Sequence, residues 1–344
     1  MNSLQRVKAA LNLKEPDRIP ILELVIDPHV FTKIDNKAKD MADFCARNGL
    51  DVVCCNPLFK KIFQEGDYYK DEWGVLYKEG VQVINHPVKG PINSIHDLKR
   101  YKFPDPDAAH RLGNLHDMVK RYKGKLAIAF LHRDAFMWAA YLMGFENFLM
   151  SFYIQPKLAK MVMDMVIEVN EAIARNAIKA GADIVFLTDD YATNKGPFLP
   201  PELFKKNVLP YLQRMVDAVL KEGAYCVKHS DGNLWPIIDM IVDTGINGIN
   251  PLEPAAGMDI SLIKKKYGQR VCLIGNIDCG ELLSNQTTVK VEEAVKKCIK
   301  QAGVGGGYIM SSSNSIHYSV KPKNFKAMIS STIKYGKYPL SWAN

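Results

Sequence analysis

The stretch KAGADIVFLTDD at residues 179–190 contains the pattern that decides the fold. A helical pattern ends at Ala180, Gly181 follows, and an apolar run of strand length begins. Glycine in this place ends a helix in the left-handed conformation, and continuous hydrophobicity is typical of a parallel strand that is covered on both faces. The same joint recurs at Gly223, Gly245 and Gly268. The second half of the chain therefore predicts repeated βα units.

Apolar runs of this kind give eight candidate strands. They cover residues 19–25, 51–56, 126–131, 183–188, 224–228, 248–251, 271–275 and 308–312. Helical patterns at 156–180, 201–221 and 288–302 separate the later strands. Eight parallel strands with intervening helices predict an α/β fold of the (β/α)8 TIM-barrel type, which accommodates residues 1–344 as a single domain.

Residues 58–104 separate the second and third predicted strands and are too long for a minimal barrel connection. Apolar and polar residues alternate there around Gly74 and Gly80, in YYKDEWGVLY at 68–77 and VQVI at 81–84. This alternation predicts a β-hairpin insertion. Its aromatic residues favour a lid over the site or the contact of a homodimer.

Charge and cysteine usage exclude several classes of protein. The net charge of +8 is spread over short lysine groups on predicted helices, such as 264–266 and 296–300, whereas nucleic-acid binders concentrate charge in one stripe. No stretch approaches 18 apolar residues and the first residues lack the apolar core of a signal peptide, so we expect a cytoplasmic protein without a membrane partner. Seven cysteines without a CxxC pair argue against a disulfide framework and a zinc ribbon.

Polar residues accumulate where the predicted strands end, which is where TIM barrels place their reactive groups. We assign catalytic roles to Asp190, His229, Asp231 and Asp278, and substrate binding to Arg133, Asn250, Glu253, Asn276 and Asn314. Successive strand residues point to opposite sides, so only one of Asp189 and Asp190 can face the barrel axis. A structural role is the alternative for each residue; Asp231, for example, could begin the helix predicted at Leu234.

The spacing His229-x-Asp231 places two metal ligands on the same side of an extended segment. Cys279 and His317 follow neighbouring strands and could complete a tetrahedral zinc site. The alternative is a metal-free site in which an aspartate donates a proton while histidine and asparagine orient the substrate.

Five segments spread along the chain carry a family resemblance: RVKAAL at 6–11, PDRIP at 16–20, GNID at 275–278, GYIMS at 307–311 and VKPKN at 320–324. Together they resemble the uroporphyrinogen decarboxylase superfamily. Porphyrinogen decarboxylases in this superfamily resemble one another in an arginine-rich element after the first strand, which binds the substrate's carboxylates. Here ELVIDPH at 23–29 occupies that place, and no arginine follows until Arg47. A porphyrinogen substrate would lose its main charge-assisted contacts.

The other branch that the chain resembles comprises corrinoid-dependent methyltransferases. Its thiol-activating members are similar in binding zinc through a His-x-Cys pair and a later cysteine. In this chain His229 matches the histidine, Asp231 replaces the first cysteine, and SSNSIH at 312–317 replaces the second. Hard oxygen ligands in place of soft thiolates favour a methyl ether as donor, because its leaving oxygen must be protonated or polarised.

The resemblance thus implies an O-demethylase type of methyltransferase. It would move a methyl group from a small methoxylated aromatic compound to the cobalt of a separate corrinoid protein, since the chain lacks the Asp-x-His-x-x-Gly element of corrinoid carriers. One alternative is a cofactor-free decarboxylase of a smaller carboxylated substrate or of a porphyrinogen, with Asp190 or Asp278 as proton donor. Another is a barrel that binds a ligand or a corrinoid protein without turnover.

Overall fold

The computed structural model describes residues 1–80 and 86–343. Its strands, in chain order, are β1 Val52–Cys55, β2 Lys61–Glu65, β3 Tyr68–Asp71, β4 Leu76–Lys78, β5 His86–Lys89, β6 Ala127–His132, β7 Ile184–Leu187, β8 Ala192–Thr193, β9 Gly196–Pro197, β10 Tyr225–His229, β11 Gly248–Asn250, β12 Cys272–Ile277 and β13 Tyr308–Ser312. Seven of them form a parallel sheet in the order β1-β6-β7-β10-β11-β12-β13. This is the α/β architecture of a TIM-like barrel, as the repeated joints predict.

Helices follow most of the strands and cover the outside of the sheet. They are α1 Ser3–Leu11, α2 Pro28–Ile34, α3 Met41–Asn48, α4 Ile95–Arg100, α5 Leu115–Tyr122, α6 Phe136–Met143, α7 Phe145–Ile154, α8 Pro156–Ala180, α9 Pro201–Asn207, α10 Leu209–Lys221, α11 Ile238–Asp243, α12 Ile260–Tyr267, α13 Leu282–Asn285, α14 Thr288–Cys298 and α15 Pro322–Tyr335, with a 3-10 turn at Pro254–Ala256 and a π turn at Ile299–Gly303. None of the helices in the described ranges combines the length and the apolarity needed to cross a membrane.

Two predicted helices differ in detail from the observed ones. The helix expected over 201–221 is divided at Val208 into α9 and α10. Pro210 in the first turn of α10 has no N–H and so cannot donate a hydrogen bond to a carbonyl of the preceding turn. The helix expected over 288–302 ends as α14 at Cys298 and continues as the π turn. In contrast, α8 has the predicted bounds and ends at Gly181, whose φ is 118°.

The predicted first strand, residues 19–25, is the main difference from the expected eight-stranded sheet. The segment pairs through an isolated bridge at Ile21, and Ile26, the residue after it, forms another. Its backbone nevertheless bonds to both edges of the sheet: Leu22 N–H donates to the carbonyl of Met310 in β13, and Ile21 accepts from Asp51 beside β1. Pro20 interrupts the ladder because it has no N–H to donate. The segment therefore fills the gap between β13 and β1 without forming a regular strand.

A buried ion network fixes this segment at the amino-terminal end of the sheet. Asp51 is fully buried and accepts from Arg6 at 2.6 Å, Arg18 at 2.9 Å and the Ile21 N–H at 2.9 Å. Val7, Ala10 and Leu11 of α1 belong to the same apolar cluster as the inward-facing residues of the parallel strands. Helix α1 thus closes one end of the barrel and leaves the carboxyl ends of the strands for a site.

Between β1 and β6 the structure has a four-stranded antiparallel sheet, in the order β2-β3-β4-β5, in place of the single predicted hairpin. Gly74 lies in the turn between β3 and β4, and the predicted VQVI element at 81–84 lies outside the described residues. Trp73 is fully buried and stacks on Trp138 of α6 with 4.4 Å between ring centroids. The insertion therefore packs against the barrel. Its role as a lid or a dimer contact stays a prediction.

Candidate functional site

A cavity of about 270 Å³ lies at the carboxyl ends of the parallel strands. The polar residues that line it are Glu23, Asn56, Arg133, Thr188, Asp190, His229, Asp231, Asn250, Ser311, Ser312, Asn314 and Ser315. The structure thus brings together six of the nine catalytic and substrate-binding residues named from the sequence. Parallel strands make this possible because their carboxyl ends converge at one face of the barrel.

His229, the last residue of β10, is oriented by Asn250, the last residue of β11. The two residues are register partners, and His229 Nδ1 lies 2.6 Å from Asn250 Oδ1. Asn250 Nδ2 donates to the Ile274 carbonyl, which leaves Oδ1 as the atom that faces the imidazole. Because an amide oxygen can only accept, Nδ1 carries a hydrogen, and Nε2 is the ring nitrogen left to face the site.

This Nε2 atom faces two carboxylates. His229 Nε2 lies 3.8 Å from Asp190 Oδ1 and 3.7 Å from Asp231 Oδ1. The Asp231 N–H donates to Asp190 Oδ1 at 3.0 Å and fixes the two loops against each other. Asp189 turns the other way and accepts from the backbone at the start of α6, through Asp134 and Met137 N–H groups at 2.6 Å. Asp190 is therefore the member of the pair that faces the site.

Asp231 sits in an environment that disfavours its charge. Burial raises the pKa of its carboxyl to about 6; nearby His229 opposes the rise, while the negative charges of Asp190 and Glu253 add to it. Asn314 Nδ2 donates to Oδ2 at 2.5 Å. Oδ1 is buried and has no hydrogen-bond partner, which is costly unless a ligand or an ion completes the site.

The turn after Asp231 depends on a glycine. Gly232 has φ of 86°, and a Cβ there would lie 2.7 Å from the backbone of Ala192 and Thr193. Its N–H donates to Glu253 Oε2 at 2.9 Å. Glu253, expected to bind substrate, instead holds this turn and does not line the cavity. Only glycine allows the backbone to pass this close while Asp231 points into the site.

The three side chains of Asp190, His229 and Asp231 could hold a divalent cation. Their ligand atoms lie within 4.8 Å of one another, and they form the group of this kind found among the described residues. One imidazole nitrogen and two carboxylate oxygens are a donor set that zinc accepts, with a further position left for a substrate or water. The unpartnered Oδ1 of Asp231 fits this use.

The other two ligands expected from the sequence lie outside this group. Cys279 is buried, its Sγ contacts Ser313 Oγ at 3.7 Å, and burial raises the pKa of its thiol to about 11. His317 Nδ1 accepts from the Ser319 N–H at 3.3 Å. Asp190, instead of Cys279 or His317, is the third residue of the group that could hold a metal ion.

Two further predicted residues have structural partners. Asp278 accepts from the N–H groups of Gly280, Glu281 and Leu282 at 2.9–3.0 Å and so stabilises the turn that leads into α13. Asn276 donates to the carbonyls of Leu252 and Met258 at 2.7 and 3.1 Å. Neither side chain lines the cavity. Asp278 therefore caps this turn, which is the structural role given above as the alternative to catalysis.

Glu23 lines the cavity but was not predicted from the sequence. Its side chain is only 1% exposed, and it contacts Ser312 of β13. Burial raises the pKa of its carboxyl to about 8, against hydrogen bonds from Ser312 and Ser311 that lower it. The signal that could have revealed it is a single carboxylate in the apolar run ILELVI at 21–26, since a buried charge without a partner is rare.

A second, wider cavity of about 890 Å³ adjoins the first. Arg133 and Asn56 line both cavities, and aromatic side chains form much of the wider one: Phe31, Phe59, Tyr69, Tyr77, Trp138 and Tyr141. The Arg133 guanidinium lies 5.2 Å from the Tyr141 ring centre and donates to the Thr188 carbonyl. Within the described ranges, no carboxylate forms an ion pair with it. It is thus available to an anionic group of a ligand.

A buried polar cluster supports the strand ends from behind. Lys228, adjacent to His229, is fully buried and donates to the Asp189 carbonyl at 2.7 Å. Its ammonium lies 3.6 Å from Asp134 Oδ2 and 3.8 Å from the centre of the Tyr191 ring. The Tyr191 hydroxyl donates to the same carboxylate. Fixed charges of this kind hold the loops that carry Asp190 and His229.

Comparisons with known proteins agree with this architecture. The chain is 23% identical to the uroporphyrinogen decarboxylase of Pseudoalteromonas atlantica over 258 residues, which are 71% of this chain and 70% of the relative. It is 26% identical to the methylcobamide:CoM methyltransferase MtbA of Methanosarcina acetivorans over 228 residues, 66% and 65% of the two chains. A methyltransferase from Methanosarcina mazei shares the fold, with a TM-score of 0.79 at 18% identity over 97% of this chain and 99% of its own.

The match to a family covers most of the chain. The sequence model of the family described as uroporphyrinogen decarboxylase (URO-D) matches residues 75–335. This range contains β4 to β13 and the group of Asp190, His229 and Asp231. This chain belongs to the uroporphyrinogen decarboxylase family.

Proposed function

We propose that this protein is a methyltransferase that moves a methyl group from a small methoxylated aromatic compound to the cobalt of a separate corrinoid protein. The observation that carries the proposal is the Asp190–His229–Asp231 group, which offers nitrogen and oxygen ligands without a thiol. Thiolate-rich zinc sites suit thiol activation, whereas a hard donor set suits an oxygen substrate. The relationship to MtbA supports methyl transfer to or from a corrinoid.

The two joined cavities support an aromatic donor. The aromatic walls of the wider cavity suit a flat ring. The narrower cavity, with its polar side chains, suits the ether group at which the bond breaks. A donor that spans both would pass Arg133, which lines each of them.

The reaction needs the methyl carbon to leave an oxygen that is a poor leaving group until it is protonated or polarised. A divalent ion held by Asp190, His229 and Asp231 would supply that polarisation. Asn250 keeps the imidazole oriented through Nδ1, and Asn314 holds Asp231 through Oδ2. Lys228 and Asp189 fix the strand ends from behind. These contacts set the position of the reacting groups before the donor binds.

Anaerobic incubation with the cobalt(I) form of a cognate corrinoid protein and a panel of methoxybenzenes tests this proposal. We expect methylcobalt(III) to form, with the corresponding change in the absorption spectrum. His229→Ala should lower the rate by about 10²-fold or more, while Lys157→Ala, on the exposed start of α8, serves as a control. Equal rates for His229→Ala and the wild type would contradict the assignment of the site.

A second candidate function is decarboxylation of a small carboxylated substrate. Arg133 favours it. Its half-buried guanidinium has no carboxylate partner among the described residues and can therefore bind the substrate's carboxylate. Asp190 would be the proton donor in that reaction, since Asp278 is engaged by three backbone N–H groups. Release of carbon dioxide from a carboxylated compound in the absence of any corrinoid would favour it over methyl transfer.

A further inference from the structure

Glu23 is a carboxyl group buried in the wall of the site cavity. It lies on the segment between β13 and β1 and lines the same cavity as His229 and Asp231. In the part of the chain that the structure describes, no lysine, arginine or histidine forms an ion pair with it. An isolated carboxylate at 1% exposure would lose most of its hydration without compensation.

The hydrogen bonds around Glu23 leave room for a proton on its carboxyl group. Glu23 Oε1 accepts the Ser312 N–H at 2.9 Å, and Oε2 lies 2.5 Å from Ser312 Oγ. The Ser312 hydroxyl also bonds to the carbonyl of Asn314, which can only accept. A hydroxyl has one hydrogen. When that hydrogen is on Asn314, the close contact between Oε2 and Oγ is a hydrogen bond only if Glu23 supplies the second hydrogen.

We propose that Glu23 is a neutral carboxylic acid that donates its proton to the oxygen left behind when the methyl group is transferred. This inference rests on the proposed methyl-transfer function. Glu23 and Ser312 both line the cavity, so the hydrogen that they share is beside the donor-binding space. Neither residue belongs to the group that could hold a cation.

The step balances as follows. The bond between the methyl carbon and the ether oxygen breaks, and its electron pair stays on the oxygen. The proton from Glu23 joins that oxygen to give a phenol. The methyl carbon bonds to the cobalt(I) of the corrinoid partner, which supplies the electron pair and becomes cobalt(III). Glu23 is left as a carboxylate and regains a proton from water when the phenol leaves.

Ser312 is suited to stabilise the carboxylate that forms. Its N–H already donates to Oε1, and rotation of its hydroxyl from the Asn314 carbonyl to Oε2 would add a second hydrogen bond to the charged form. Such charge-assisted bonds are stronger than neutral ones. One serine thus accepts from the acid before proton transfer and donates to its conjugate base afterwards.

The surroundings of Glu23 keep it protonated near neutral pH. Burial raises its pKa to about 8, while the hydrogen bonds from Ser312 and Ser311 act in the opposite direction. Thiol groups face it from the packed elements: Cys45 from α3, Cys54 from β1 and Cys279 from the turn after β12. The charged side chains that share its cavity are Arg133, Asp190, His229 and Asp231. We expect activity that depends on this acid to decline above about pH 8.

The variant Glu23→Gln tests the proton donor. Glutamine has the shape of protonated glutamate and can repeat its hydrogen bonds, with Oε1 accepting from Ser312 N–H and Nε2 donating to Ser312 Oγ, but it has no acidic proton. With methoxybenzene as donor we expect kcat to fall about 10²-fold or more with little change in KM. With 4-nitromethoxybenzene, whose leaving phenolate is a weaker base, the loss should be much smaller. The decline of kcat above about pH 8 should disappear in the variant.

Equal losses with the two donors would show a structural role and overturn the proposal. Infrared spectroscopy gives a readout that needs no turnover: wild type at pH 7 should show a protonated carboxyl band that Glu23→Gln lacks, whereas the exposed control Glu65→Gln should retain it. Absence of that band overturns the inference whatever reaction the enzyme performs. A wild type that shows the band but transfers no methyl group refutes the proposed function, and the donation step with it, while the neutral state of Glu23 stands.

Discussion

Replacing Glu23 by glutamine should stabilise the folded protein, and the gain should increase with pH. The folded-state pKa of Glu23 is raised from 4.5 to about 8 by burial. Between these values the folded protein holds a proton that the unfolded chain has released. The free energy of unfolding of the wild type therefore falls as pH rises through this window. Glutamine has no proton to lose, so the free energy of unfolding of the variant lacks this decrease with pH.

The size of the effect follows from the same two values. Each pH unit between 4.5 and about 8 should add about 1.4 kcal/mol to the stability difference between Glu23→Gln and the wild type. The advantage of the variant should be small at pH 5 and reach about 3 kcal/mol at pH 7. It should become constant above about pH 8, where Glu23 is ionised in both states.

Urea unfolding followed by circular dichroism from pH 5 to pH 9 measures this difference directly. Glu65→Gln changes an exposed carboxylate on β2 to an amide and controls for the loss of one charge; its curve should run parallel to that of the wild type. Glu23→Ala should be less stable than Glu23→Gln at every pH, because it leaves the Ser312 N–H without its acceptor. A Glu23→Gln advantage that does not change with pH would refute the reasoning that Glu23 is protonated in the fold.

Three other predictions concern the site and its support. His229→Ala should abolish both the zinc found by elemental analysis and any rise in melting temperature on zinc addition. Cys279→Ser should change neither quantity, and equal metal loss in both variants would place the ion elsewhere. Asp278→Ala should leave the rate of methyl transfer unchanged and lower stability by about 1 kcal/mol, as loss of a capping side chain does, and a large loss of rate would restore its catalytic role. Lys228→Met should destabilise the fold by roughly 3–5 kcal/mol in chemical denaturation because it leaves the buried Asp134 carboxylate without its cation, and an unchanged midpoint would show that the cluster contributes little.

The location of the site could be predicted from the sequence because it depends on strand ends, and strand ends were visible as apolar runs followed by polar residues. His229, Asp231, Asn250 and Asn314 follow three different strands and meet in the structure for this reason. Orientation was harder to predict. Asn276 lies on β12 like a site residue, yet its amide donates to two backbone carbonyls outside the cavity. An aspartate that caps a turn, such as Asp278, has the same sequence context as one that reacts.

The residues that sequence reasoning missed or misplaced depend on long-range packing. Glu23 lies in a segment that Pro20 keeps from forming a regular strand, and its partner Ser312 is 289 positions away in the chain. Asp190 joins the group that could hold a cation only because the Asp231 N–H fixes it there. Local patterns indicate which residues follow a strand, but the contacts that select among them form only when the sheet curls and the loops meet.

A single donor that carries both reactive groups can separate methyl transfer from decarboxylation in one experiment. We would incubate the wild type anaerobically with a cobalt(I) corrinoid protein and 4-methoxybenzoate labelled with ¹³C at both the methyl and the carboxyl carbon, and follow both carbons by NMR. We expect the methyl label to appear on cobalt while the carboxyl label stays on the ring, in equal amounts of methylcobalt and 4-hydroxybenzoate. Labelled carbon dioxide with the methyl ether intact would contradict methyl transfer and assign the site to decarboxylation.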